Sequence, residues 1–223
     1  MTKETQCPYL HNKSEKRLVT DLNNNPFIFD ELSLSGFRRI ENWMYRPSCN
    51  SCNDCQSYRI NLDNFNMTKS LKRVNKKNLN NKINLKNNIA KKEYFKLFSK
   101  YQNERHTGSS MSLMTYEEFQ SMIETSPINT QILEFRTPYN KLIGVMLFDY
   151  QKDGLSAVYS FYDVKFEKSG LGNFMILELI ELAKKLTLDY VYLGYYIKNA
   201  PRMNYKLKFK EGELYSDGKW TKT

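Results

Sequence analysis

The sequence predicts an α+β protein: a mixed sheet with flanking helices, plus a smaller N-terminal region that carries the cysteines. Three observations predict it. Helical periodicity occupies the stretch after residue 89, apolar runs parted by turn signals fill 131–162, and a glycine-opened helix then leads to one more apolar run. The element order is helix, helix, strand, strand, strand, helix, strand.

Each element has its own signal. Ala90, Tyr94, Leu97, Phe98 and Tyr101 recur at helical spacing and predict a helix over Ile89 to Asn103. Thr115 and Glu118 form a capping-box pattern that opens a second helix, which must end before Pro127. Strands are predicted over Gln131 to Phe135, Leu142 to Tyr150 and Leu155 to Tyr162, with turns at Pro138-Tyr139-Asn140 and Asp153-Gly154. A helix from Gly172 to Leu186 and a strand from Tyr190 to Leu193 follow. Antiparallel strands, a crossover helix and a parallel strand make a mixed sheet. This order resembles the N-acyltransferase fold of acetyl-CoA-dependent enzymes. Gly170 and Gly172 stand where that fold has its phosphate-binding turn; free N–H groups and the helix dipole there would hold an anion.

Composition divides the 223 residues into three zones. Residues 1–68 form a cysteine-containing domain, 69–88 a basic connecting segment, and 89–223 the domain of the predicted sheet. The formal net charge is +10 and the pI about 9.3, a balance that favours polyanions. Lys69, Lys72, Arg73, Lys76 and Lys77 head a run without an acidic residue, read either as a nucleic-acid contact or as a solvated basic face. Residues 1–13 contain no apolar leader, and the longest apolar stretch, Leu142 to Phe148, is too short to span a bilayer. These features predict a cytoplasmic protein without a membrane partner, in a reducing compartment where cysteines serve as thiols or ligands.

Cys49, Cys52 and Cys55 are each three residues apart, a spacing that lets three sulfurs converge on one ion, and Cys7 could supply a fourth. Four thiolates suit zinc or an iron–sulfur cluster; the alternative is a set of reduced thiols. His11 and His106 are the only histidines, and neither stands in a Ser-His-Asp or Cys-His arrangement.

With these residues in place the chain resembles the aminoacyl-tRNA–protein transferases, in particular their bacterial aspartate/glutamate leucyltransferase branch. The resemblance rests on Cys7-Pro8-Tyr9-Leu10, Gly36-Phe37-Arg38-Arg39, Tyr45-Arg46-Pro47, the clustered cysteines, Arg59, and Lys69-Ser70-Leu71-Lys72-Arg73. It continues through Arg105-His106, residues 154–163, Ser169-Gly170-Leu171-Gly172, residues 190–197, Met203, Tyr205-Lys206, Phe209, Gly218 and Trp220. Three departures stand out, the first being that arginines common in the family's basic stretch are partly lysines here. Ser48 replaces a histidine before the first clustered cysteine, and Asp163-Val164-Lys165 replaces Asp-Pro-Asp.

The resemblance implies transfer of leucine from leucyl-tRNA to the N-terminal amine of proteins beginning with Asp or Glu, marking them for N-end rule degradation. It implies no cofactor for the chemistry, and aminoacyl-tRNA and protein substrates as partners; the chain is expected to be a monomer. Arginyl transfer, an acetyl-CoA-dependent N-acyltransferase and a metal-containing RNA-binding protein are the alternatives. Arg38, Arg46 and Arg59 are the candidates for the acidic acceptor, because a planar guanidinium fork suits a carboxylate. The basic run and the Gly170/Gly172 turn are the candidates for tRNA. The reacting centre is expected along Ser156 to Asp163 and Tyr192 to Tyr196, with Asp163, Tyr159 and Tyr195 as catalytic candidates.

Overall fold

The computed structural model describes residues 1–223. Its centre is an eight-stranded mixed sheet. In chain order the strands of the molecule are β1 (Thr5–Gln6), β2 (Ser14–Glu15), β3 (Arg17–Asp21), β4 (Arg38–Ile40), β5 (Trp43–Pro47), β6 (Gln56–Asn61), β7 (Lys82–Asn87), β8 (Thr130–Arg136), β9 (Leu142–Gln151), β10 (Gly154–Tyr162), β11 (Tyr190–Tyr196), β12 (Gly212–Ser216) and β13 (Lys219–Lys222). The helices are α1 (Phe29–Leu34), α2 (Lys69–Asn78), α3 (Lys92–Arg105), α4 (Tyr116–Glu124) and α5 (Leu171–Lys185). The large sheet runs β13-β12-β6-β11-β10-β9-β8-β7; β3-β5-β4 form a second sheet and β1-β2 a short ladder.

The apolar pattern explains the layers. One buried cluster joins Phe135, Phe148, Leu155 and Val191 of the sheet to α5 and to Leu71 of α2. A second joins Val145, Leu147 and Phe161 to Tyr94, Leu97 and Phe98 of α3 and to Phe119, Met122 and Ile123 of α4. The sheet is therefore covered on both faces. The capping box of α4 forms as the sequence predicts: Thr115 accepts from the Glu118 N–H, and Glu118 accepts from the Thr115 N–H. β9 and β10 pair antiparallel, and β10 and β11 pair parallel across the α5 crossover.

The zones drawn from composition do not follow the sheet. β6, from the cysteine-containing zone, is an interior strand between β11 and β12. The basic segment is not a connector: α2 and then the edge strand β7 occupy it. Thr68 caps α2 by accepting from the Leu71 N–H, and Leu71 and Val74 carry its inner face.

The small sheet is bolted to the large one by adjacent arginines on β4. Neighbouring side chains leave a strand in opposite directions, so Arg38 and Arg39 reach different places. Arg39 makes a buried pair with Asp149 of β9, its Nε and Nη2 donating to the two carboxylate oxygens at 2.7 Å each. Thr130 Oγ1 donates to the same carboxylate at 2.7 Å.

Candidate functional site

β10 and β11 lie side by side for only three residues each, Gly154–Ser156 against Tyr190–Tyr192. Beyond that point they part. Two irregularities open the gap. β10 bulges at Val158, where its register against β9 shifts between Ala157 and Tyr159. β11 shifts register against β6 between Tyr192 and Tyr195, around Gly194, whose φ of +78° is left-handed and favours glycine. Past Ser156 and Tyr192, backbone groups that would bond a neighbouring strand face the gap instead. Such groups are suited to hold an acyl carbonyl and its oxyanion. The strands expected to flank the reacting centre are these two.

Arg38 fills the mouth of the gap. Its Nη1 donates to Ser156 Oγ at 3.0 Å and its Nη2 to the Ala157 carbonyl. Its Nε lies 3.5 Å from the place a Cβ on Gly194 would take, so it bridges both strands. It has no carboxylate partner. Close by, Lys206 is 2% exposed, and its Nζ donates to the Tyr195 carbonyl at 2.5 Å and meets Met203 Sδ at 3.3 Å. Burial, and then the charge of Arg38, push its pKa down to about 7.

A second surface adjoins this gap. Gly170, with φ +75°, precedes the first turn of α5, whose leading N–H groups lack intrahelical acceptors. Val74 of α2 packs against Gly170, 2.8 Å from where a Cβ would stand, and Asn78 Nδ2 donates to the Ser169 carbonyl at 3.0 Å. These contacts hold α2 beside the turn, with Lys69, Lys72, Arg73, Lys76 and Lys77 all exposed on it. The Tyr162 ring leans on Gly172, 3.1 Å from the corresponding Cβ position. Tyr101 stands 5.2 Å from the Tyr162 ring and 5.5 Å from that of His106. The result is a cationic surface with a row of aromatic rings, which suits a polynucleotide end.

Several expected roles give way to internal ones. Arg59 is buried and committed: its Nε donates to Glu213 Oε2 at 2.7 Å, its Nη1 to the Tyr192 hydroxyl at 3.1 Å, and its guanidinium stacks 3.6 Å from the Tyr190 ring centre. That pairing clamps β6 to β12 and leaves no free fork for an acceptor. Asp163 receives Lys100 Nζ at 2.7 Å and Lys141 Nζ at 3.4 Å. Burial works to raise its pKa, but the hydrogen bonds from Lys100, the Lys165 backbone and Lys141 outweigh it and hold it low, which makes it a poor proton acceptor. The Tyr195 hydroxyl donates to the Tyr45 carbonyl at 2.9 Å and lies 3.2 Å from that of Gly36, and burial raises its pKa, so it anchors the small sheet. Tyr159 accepts from Gln102 Nε2 at 2.6 Å and packs against Phe98. Arg46 donates to the Ser35 carbonyl at 3.0 Å and lies over the Phe37 ring, and its charge is felt by Tyr195 of β11.

All four cysteines line one small cavity, with Tyr9, Tyr45 and Tyr195. Burial, and then Cys49, Cys7 and Cys52, raise the Cys55 pKa to about 12. The donor set has the chemistry of a thiolate metal site, but no three donors stand together in an arrangement that could hold an ion. Lys206 is the residue whose position the sequence left without a role. A lysine between Tyr205 and Leu207 carries no signal of burial; only the fold reveals it.

A mixed sheet whose parallel strands part around a bulge, beside a glycine turn at a helix N-terminus, defines the protein as one of the acyltransferase class. Comparison with known proteins narrows this. The profile of arginine-tRNA-protein transferases, N terminus, matches residues 5–73, and that of their C terminus matches residues 93–216. The chain belongs to the arginine-tRNA-protein transferase family. It is 38% identical to the aspartate/glutamate leucyltransferase of Dinoroseobacter shibae, over 99% of this chain and 81% of that one. It is also 38% identical to the enzyme of that name from Paramagnetospirillum magneticum, over 96% of this chain and 88% of that one. Among solved structures, FemX superposes with a TM-score of 0.52 at 7% identity, covering 84% of this chain and 65% of that one. L-PGS from Bacillus licheniformis superposes at 0.50 and 12% identity, over 63% and 45% of the two chains. These two likenesses establish the acyltransferase-like fold alone.

Proposed function

We infer that the protein transfers leucine from leucyl-tRNA to the N-terminal amine of proteins that begin with Asp or Glu, and so marks them for degradation by the N-end rule. The observation that carries this reading is the 38% identity to aspartate/glutamate leucyltransferases along nearly the whole chain. The reaction is aminolysis of an ester. The leucyl group arrives activated, so no ATP is consumed. The nucleophile is the acceptor's α-amine, whose ordinary pKa of about 7.7–8.0 leaves a useful neutral fraction near pH 7. The β10–β11 gap holds the ester carbonyl and the amine together. Arg38, the unpaired arginine at its mouth, reads the acceptor's carboxylate. The α2 lysines and the Gly170/Gly172 turn take the acceptor end of the tRNA.

Labelled leucyl-tRNA, arginyl-tRNA or acetyl-CoA is mixed with peptides beginning Asp, Glu, Lys or Arg. Transfer of leucine to the Asp and Glu peptides alone is the expected result. Transfer only from arginyl-tRNA, or from acetyl-CoA, would defeat the reading. For the cysteines, a metal or cluster is a further proposal; its support is that four sulfurs share one cavity, and the Cys49–Cys55 loop would have to close on the ion. Metal analysis with ultraviolet-visible spectra separates zinc, an iron–sulfur cluster and free thiols.

A further inference from the structure

Lysine is almost never fully buried without a charged partner. Lys206 is such a case. It sits in the 3-10 segment Pro201–Lys208 that follows β11. No acidic side chain lies within ion-pair distance of its amine, whose contacts are the Tyr195 carbonyl and the Met203 thioether. The segment is pinned from beneath, since the Tyr58 hydroxyl of β6 lies 3.0 Å from the Lys206 carbonyl and 2.9 Å from that of Phe209. The charged group that acts on Lys206 is Arg38, from the small sheet; Tyr58, Tyr195 and Tyr205 are the other titratable groups around it. One backbone carbonyl is a small return for burying an amine, where a methionine or leucine would fill the volume without a charge.

The location does suggest a use. Tyr195, which holds the amine, lies on the part of β11 that has left β10, and Arg38 spans the same gap. Resting on the leucyl-transfer reading above, we propose that Lys206 is the proton carrier of the reaction. Its neutral amine takes a proton from the nitrogen of the acceptor's α-amine as the new C–N bond forms. The resulting ammonium gives that proton to the ribose oxygen as the C–O ester bond breaks. The balance is complete: ester and amine become amide and ribose hydroxyl, and Lys206 ends as it began. Asp163, the carboxylate the sequence offers for proton transfer, is held by two lysines and cannot do this work. Burial and Arg38, which bring the Lys206 amine to about 7, suit it to a two-way transfer near neutral pH.

The test is single-turnover peptide-bond formation with preloaded leucyl-tRNA and an Asp-initiated peptide, followed from pH 5.5 to 9. Lys206→Met and Lys206→Arg are each expected to lower the rate by about 10²–10⁴-fold with unchanged affinity for leucyl-tRNA. The arginine variant keeps the charge but cannot give up a proton at these pH values. Small primary amines should restore peptide product to Lys206→Ala in an order that follows their basicity, which a structural role would not produce. An arginine variant within threefold of wild type, or a methionine variant with the wild-type pH profile, overturns the proposal. Where the variants fail to fold, ¹⁵N resonance titration of the Lys206 amine in the wild-type protein decides: a midpoint near 7 is expected, and one above about 9 refutes a carrier active near neutral pH. Wild-type protein that transfers no leucine defeats the functional reading and this proposal together; an active wild type with unimpaired variants defeats this proposal alone.

Discussion

Replacing Arg39 by methionine should be among the most costly single changes in the molecule. The partner, Asp149, is 1% exposed at its side chain and receives three hydrogen bonds, two from Arg39 and one from Thr130. Methionine fills the volume but strands the carboxylate with one donor. Removing one member of a buried pair costs about 3–5 kcal/mol, against a typical total stability of about 5–15 kcal/mol. For a chain of this size that loss lowers the melting temperature by roughly 6–20 °C. The assay is a urea melt followed by fluorescence and circular dichroism, with Asp149→Leu and the double variant beside it. The double variant should recover much of the loss, because no buried charge remains. A single variant that loses less than about 1 kcal/mol, or a double variant as unstable as the single, would refute the view that this pair is a buried bolt.

Arg38→Met should weaken transfer to Asp- and Glu-initiated peptides at least tenfold in kcat/KM while the melting temperature moves by less than that of Arg39→Met; equal loss of tRNA binding would speak against an acceptor contact. Lys72→Glu with Lys76→Glu should weaken leucyl-tRNA binding and flatten its salt dependence, each lost phosphate contact removing about 0.7–0.9 from the slope of log K against log salt. Glu134 answers to pH. Burial opposes its ionisation, but hydrogen bonds from Arg136 and Tyr94 win and hold its pKa at about 2. A depressed carboxylate stabilises fully above its unfolded pKa, and that stability is lost as pH falls through the folded value. Wild-type stability should therefore decline between about pH 5 and pH 2, and Glu134→Gln should show a shallower decline over that window in acid melts.

The helices and strands from residue 92 to 196 were legible because each has a private signal: helical spacing in α3, a capping pair in α4, an Asp-Gly turn before β10. α2 was not, since its one-sided apolar content is only Leu71 and Val74 amid lysine and asparagine. β6 was hidden for a different reason. It is an interior strand with an arginine in its middle, and the charge of Arg59 is tolerable only because Glu213, on a strand more than a hundred and fifty residues later, answers it. The same separation explains the site. Arg38, Arg46 and Arg59 are alike in sequence; which of them is free depends on partners that the fold brings from afar. Lys206 illustrates the limit, as burial of a lone amine is a property of the closed sheet.

The interleaving of β6 between β11 and β12 has a consequence for the order of events at the ribosome. The strand is made early, yet both of its neighbours belong to the last sixth of the chain. Until Tyr190–Ser216 have emerged, β6 has no hydrogen-bonding partner on either edge, and the β10–β11 gap does not exist. The sheet closes only when β6 meets two strands made more than a hundred residues after it. Loop closure over such distances is slow, and nascent chains stalled before residue 190 should present a sticky, unpaired edge to chaperones. A product that stops before Tyr190 has neither the β11 wall of the gap nor the segment that bears Lys206.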